Sequence, residues 1–174
     1  MKGIKLLLVI VFFVSQPATY AQVKTAFGDE VGTLDGIIKA YYDVVTVKKG
    51  EKVSYTRDSL LHVANAIVGI TRKGRDGKMK LQMISLKKFH EESDASLEKD
   101  GFFEKELSRK VEKFGSIYQV WSTYETKNSA DGPLLERGIN SIQLFFDGTR
   151  FWILSWVAED ESKEQPIPEK YLKN

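Results

Sequence analysis

The stretch Phe114–Glu159, FGSIYQVWSTYETKNSADGPLLERGINSIQLFFDGTRFWILSWVAE, reads as three consecutive antiparallel strands. Ile117–Glu125 (IYQVWSTYE) alternates around Val120 and Tyr124, and Asn128–Pro133 supplies a polar turn. Arg137–Phe146 (RGINSIQLFF) then runs into Asp147-Gly148, a pair that accepts positive φ and marks a hairpin. Phe151–Val157 (FWILSWV) closes the meander. The last two strands are apolar on both faces, so such a sheet requires helices on one side and a second cover on the other.

Working outward, Thr33 is placed to cap a helix with Asp35 in its first turn. Leu34, Ile37, Ile38, Tyr41 and Val45 fall on one helical face. A short second helix is predicted over Thr56–His62, a strand over Ala66–Arg72, a turn over Lys73–Lys78 and a returning strand over Met79–Ile84. Ser85 caps a third predicted helix, Leu86–Glu92. The segment Phe102–Phe114 (FFEKELSRKVEKF) is two-valued. Its Glu and Lys spacing suits helical i,i+4 pairs, while Phe103, Leu107 and Val111, four apart, fit either a narrow helical stripe or alternate inward places on a strand.

Both ends read differently from the middle. Lys2 and Lys5 precede nine apolar residues, Leu6–Val14, and Thr19-Tyr20-Ala21 offers small residues at a cleavage point before Gln22. Met1–Ala21 is therefore read as a signal peptide, too short in its apolar run to span a bilayer. The expectation is export, to a periplasmic or extracellular location, with no stable membrane insertion after cleavage. Residues 22–160 form a single α+β domain, and 161–174, with Pro166 and Pro168, an extended tail that Ile167, Tyr171 and Leu172 dock onto the body.

Composition excludes several classes. Removing Met1–Ala21 takes away two of the 26 Lys and Arg and none of the 24 Asp and Glu, so the remaining charges balance. No basic stripe survives to neutralise phosphates, which argues against nucleic acid as a partner. With no cysteine and two histidines, neither a thiolate nucleophile nor an HExxH zinc site can be assembled. No GxGxxG, GKS/GKT or GxSxG signature is present, and no cofactor or metal is expected.

The order helix, helix, hairpin, helix, long meander resembles the nuclear transport factor 2-like superfamily, especially its SnoaL-like branch. The resemblance is carried by Ile37–Tyr42, Tyr55–His62, Phe103–Tyr124 and Arg137–Val157, and its motifs are diffuse patterns rather than invariant residues. It implies a cone-shaped, curved antiparallel sheet wrapped on the N-terminal helices, of cystatin-like type, with a cavity inside. It implies too that Glu104–Lys113 is a strand paired with Ile117–Glu125, and that a homodimer forms through the outer sheet face.

Members of that superfamily include isomerases, dehydratases, cyclases and non-catalytic binders, so the fold leaves chemistry open. The catalytic candidates are Asp58, His62 and Glu106; the plainer reading of Asp58 is a helix cap, and of His62 a structural histidine at a helix end. His90, on a charged helix, is expected to be solvated. The candidate pocket residues are Tyr41, Met83, Tyr124, Asn140 and Trp156; Asn140 stands as a lone amide on an apolar strand face and needs a partner if buried. The leading expectation is an exported, cofactor-free domain holding a small, largely apolar or amphipathic ligand. The alternatives are a SnoaL-like isomerase, dehydratase or hydrolase using acid–base catalysis, and a structural dimerisation module.

Overall fold

The computed structural model describes residues 27, 28 and 30–173; the expected leader lies outside them. Helix α1 is Leu34–Val45, started by Thr33, whose hydroxyl accepts the Gly36 amide at 3.0 Å. It buries Ile37, Ile38, Tyr41, Tyr42 and Val45. Helix α2, Tyr55–Ser59, is capped by Ser54, whose Oγ accepts the Arg57 amide. The capping role expected of Asp58 is thus taken by another residue. This helix also stops earlier than predicted, because the Leu61 carbonyl accepts the Ile153 amide and His62 pairs with Ile153. His62 therefore opens strand β1, His62–Lys73, instead of closing a helix.

Strand β2, Met79–Ser85, returns antiparallel to β1 and hands over to helix α3, Leu86–Asp100, capped by Ser85. The helix is more than a turn longer than predicted. Ser93, Ser96 and Leu97 continue the inward face begun by Phe89, and Gly101 at φ +79° ends it. A Cβ at Gly101 would lie 2.4 Å from the Asn128 carbonyl oxygen, so only glycine turns the chain there.

The meander is β3, Phe103–Phe114; β4, Ile117–Lys127; β5, Glu136–Phe146; and β6, Phe151–Asp160. With β1 and β2 it forms a six-stranded sheet in the order β2-β1-β6-β5-β4-β3, where β1 and β6 run parallel and all other neighbours antiparallel. The two-valued segment is a strand throughout. A bulge between Glu106 and Ser108 explains its ambiguous spacing. The bulge skips Leu107, so Phe103 falls on the outer face and Val111, opposite the buried Val120, on the inner one. A second irregularity, between Gln143 and Leu144, passes over Leu154 in the same way. Bulges in neighbouring regions bend and twist the sheet, and α1 and α3 occupy its concave side.

Val68, Val120, Ile142, Leu144 and Ile153 meet Ile37, Ile38 and Leu61 in the fully buried core. On the convex side the C-terminal tail supplies part of the second cover. Ile167 is buried, the Tyr171 ring lies 5.9 Å from that of Trp121, and the Tyr171 carbonyl accepts the Thr123 hydroxyl at 2.6 Å and that of Ser108. Arg137 anchors the start of the tail through Glu161 at 2.6 Å. Over β1 and β2 the convex face stays open, with Ile67, Leu81 and Met83 exposed.

Deleting residues 163–174 removes the buried Ile167 and both hydrogen bonds to Tyr171. The expected loss is roughly 2–4 kcal/mol in urea unfolding, about one buried aliphatic side chain plus two hydrogen bonds. An unchanged midpoint would mean that the tail contributes no cover.

Candidate functional site

Strand parity decides which side chains reach the hollow between sheet and helices. On the concave side β1 presents Val68, Ile70 and Arg72, β2 presents Gln82 and Ile84, and β6 presents Trp156, Ala158 and Asp160. Opposite them stand Tyr41 and Val45 of α1 and Phe89, Ser93 and Leu97 of α3. Together they enclose a cavity of about 730 Å³. Trp156 is fixed edge-on by Tyr41 at 6.1 Å and by Phe89 at 5.2 Å between ring centres. Among the described residues, none of the helices is long and apolar enough to cross a membrane.

At the base of the cavity polar groups converge. The Asn140 amide donates to Glu104 Oε1 at 3.0 Å and lies 3.4 Å from the Tyr42 hydroxyl. Tyr42 is 2.7 Å from Ser122 Oγ, and Ser122 in turn donates to Glu106 Oε1 at 2.5 Å. Since Ser122 has one proton to give, Tyr42 is the donor to it. Glu104 is half-buried and lines the cavity. Burial pushes its carboxyl up to about 7, with Asn140 pulling the other way and the Asp160 charge adding to the rise. Tyr124 donates to Asp160 Oδ1 at 2.6 Å across the intervening strand. That reach depends on Gly138, which lies between the two in register; a Cβ there would come within 2.4 Å of both the Tyr124 hydroxyl and the Glu159 carbonyl.

Of the five pocket residues read from the sequence, Tyr41, Tyr124, Asn140 and Trp156 stand on the cavity wall. Met83 does not. It falls on the opposite parity from Gln82 and Ile84, lies against Gly69 on the convex face and is 44% exposed. Glu106 shares the concave face with Glu104, but its carboxylate is held away from the cavity. Arg109 clamps it at 2.6 and 3.0 Å, and Arg109 also reaches Asp35 at 2.9 Å. The strand reading contained the missed residue: Glu104 is two positions from Glu106 and therefore on the same face. What it lacked was the partner of each: Arg109 clamps Glu106, whereas the Asn140 amide meets Glu104.

Asp58 and His62 belong to a second place altogether, a buried network joining α2, α3 and β1. His90 is a member too and is 5% exposed, contrary to the solvated position expected for it. Its Nε2 lies 3.0 Å from Asp58 Oδ2 and its Nδ1 2.9 Å from Asp94 Oδ1. Two carboxylates facing two ring nitrogens favour the doubly protonated imidazolium. Burial opposes that charge, yet hydrogen bonds and charge from Asp58 and Asp94 raise the His90 pKa above its ordinary value. Asp58 is likewise penalised by burial and still held below its ordinary value by His62 and His90. His62 Nδ1 lies 3.1 Å from the Asp58 carbonyl and 3.3 Å from Oδ1; the nearer carbonyl can only accept, so Nδ1 carries the proton. Neither Asp58 nor His62 lines the large cavity, so neither is positioned to act on a molecule inside it. Among the described residues no group of side chains is arranged to hold a metal ion.

No protein-family model and no curated protein matches the chain. Solved structures do. The chain is similar to a protein of unknown function with a cystatin-like fold from Nostoc punctiforme, at 7% identity over 73% of this chain and 87% of that one, TM-score 0.53. It is similar to yeast UBP3-associated protein BRE5, at 14% identity over 75% and 98%, TM-score 0.53. A Mycobacterium tuberculosis protein of unknown function is also similar, at 12% identity over 81% and 82%, TM-score 0.51. The fold is of the cystatin-like type: an α+β domain whose curved sheet wraps its N-terminal helices.

Glu104 and His90 move stability with pH in the same direction. Glu104 has its folded value raised, so the stability it contributes is complete below about 4.5 and is lost as pH rises through about 7. His90, also raised, contributes fully below 6.5 and loses that contribution at higher pH; Asp58, lowered, contributes above 3.8 and fails only in acid. The protein should therefore lose stability between about pH 5 and pH 8, and Glu104→Gln should flatten that decline by roughly 1–3 kcal/mol. Calorimetric Tm at the two pH values checks this. Asp58→Asn, which leaves the imidazolium without one partner, should cost about 3–5 kcal/mol near pH 6.

Proposed function

We propose that the chain is an exported small-molecule-binding domain that holds a largely apolar or amphipathic ligand in its cone. The observation that carries this reading is the cavity itself. It is within the size range of small-molecule sites, walled by Tyr41, Phe89 and Trp156, and equipped at its base with a few convergent polar groups, Glu104, Asn140 and Tyr124. Export is supported by the basic start, apolar run and small-residue cleavage point of Met1–Ala21. A homodimer through the convex face is supported by Ile67, Leu81 and Met83, which stay exposed where the tail ends its cover.

A second reading, acid–base catalysis of the SnoaL-like kind, is favoured by one observation. Glu104 is a carboxyl group facing a cavity with its pKa near neutrality, which is what a general acid or base requires. In that reading the acting group is Glu104 rather than Asp58, His62 or Glu106. A purely structural module would need neither the cavity nor the polar base.

Ala158 lines the cavity from β6, so Ala158→Phe should fill it from a position at its wall. A neutral naphthyl probe added to the wild-type protein should quench Trp156 fluorescence saturably, and Ala158→Phe should weaken binding by about tenfold or more. Absence of saturable binding by the folded wild-type protein would leave the structural module as the reading.

A further inference from the structure

We propose that the cavity selects a small organic cation, an aromatic or alicyclic body carrying one protonated amine. This rests on the cavity being a ligand site and adds the ligand's chemical class. The charged side chains on the wall are Glu92, Glu104, Glu136 and Asp160 against Arg72 alone, and no lysine faces inward. How each acid is already satisfied decides the matter. Glu92 is paired with Lys88 at 3.3 Å and takes a hydrogen bond from Gln82, while Glu136 is exposed to solvent. Glu104 and Asp160 have neutral donors instead: Asn140 at 3.0 Å for the one and Tyr124 at 2.6 Å for the other. Two carboxylates thus face one hollow with hydrogen bonds from neutral donors, and the Asp160 charge adds to the rise in the Glu104 pKa that burial begins.

A neutral guest would leave that repulsion in place and an anionic guest would add to it. An ammonium group on the guest relieves both carboxylates at once, in surroundings where charge is poorly screened. The rest of the wall suits the same guest. Tyr41, Phe89, Phe102, Tyr124 and Trp156 bring aromatic rings to the cavity, and ring faces attract cations as well as apolar carbon. Tyr124 and Asn140 hold the two carboxylates in place before any ligand arrives, because Gly138 lets the phenol cross to Asp160.

The test uses three matched probes, 2-naphthylmethylamine, 2-naphthylmethanol and 2-naphthoic acid, titrated calorimetrically into the full folded domain near pH 8. There Glu104 is ionised and the amine still protonated. The expected order is amine, then alcohol, then acid, with the amine at least about tenfold tighter than the alcohol. Glu104→Gln keeps an acceptor for Asn140 and should erase the amine's advantage over the alcohol. Asp160→Asn should reduce it and serves if the first variant fails to fold. Alcohol or acid binding as tightly as the amine would overturn the selectivity and leave the ligand site standing. Failure of all three probes would remove the ligand site and this inference with it.

Discussion

The pairing of β3 with β4 is the constraint on which the rest depends. It runs the full length of both strands, and its bulge at Leu107 changes the parity of a segment that is otherwise charged and poorly patterned. Before the bulge, Glu104 and Glu106 point into the concave side; beyond it Arg109 takes the inward place opposite Ser122 and clamps Glu106. Without the bulge Ser108, not Arg109, would face inward, and a buried carboxylate beside Tyr42 would lose its charge partner. Fold and electrostatics are therefore set by the same skipped residue.

The molecule buries acids in two ways that differ in kind. Asp58 lies between His62 and His90 and remains ionised because imidazoles answer it within hydrogen-bond distance. Glu104 receives one neutral amide and gives up its charge near neutrality. The first arrangement joins three elements, α2, α3 and β1, and pairs Asp58 with His90 and His90 with Asp94, although Asp58 Oδ1 and His62 Nε2 accept or donate no hydrogen bond. The second leaves a carboxyl with spare acceptor capacity facing open space.

Much of this architecture was legible in the residues because periodicity and turn chemistry are local. Asp147-Gly148, the Thr33 cap and the alternation of Ile117–Glu125 each declare their structure within a few positions. The places where reading failed are those decided by non-local contacts. His62 joins the sheet because the Ile153 amide donates to the Leu61 carbonyl from about half the chain away. In β2 the alternation, apolar at Met79, Leu81 and Met83 and polar at Lys80 and Gln82, points Met83 inward, but the structure turns the less apolar set, Gln82 and Ile84, to the cavity. That inversion leaves Met79, Leu81 and Met83 exposed on the convex side. His90 looked solvated because its helix is charged, and only the approach of α2 brings Asp58 to it.

The cavity persists because its wall cannot collapse onto it. Tyr41 and Phe89 each meet Trp156 edge to face, so the indole is braced from both sides and cannot swing inward without losing two contacts. The polar base resists filling for a different reason. An aliphatic side chain pressed against Glu104 and Asn140 would strip their remaining water and return no hydrogen bond. A hollow held open by rigid rings on one side and costly desolvation on the other favours a guest that brings apolar surface to the rings and a polar group to the carboxylates. That pairing of demands, more than the volume alone, is why the space reads as a site and not as a packing defect.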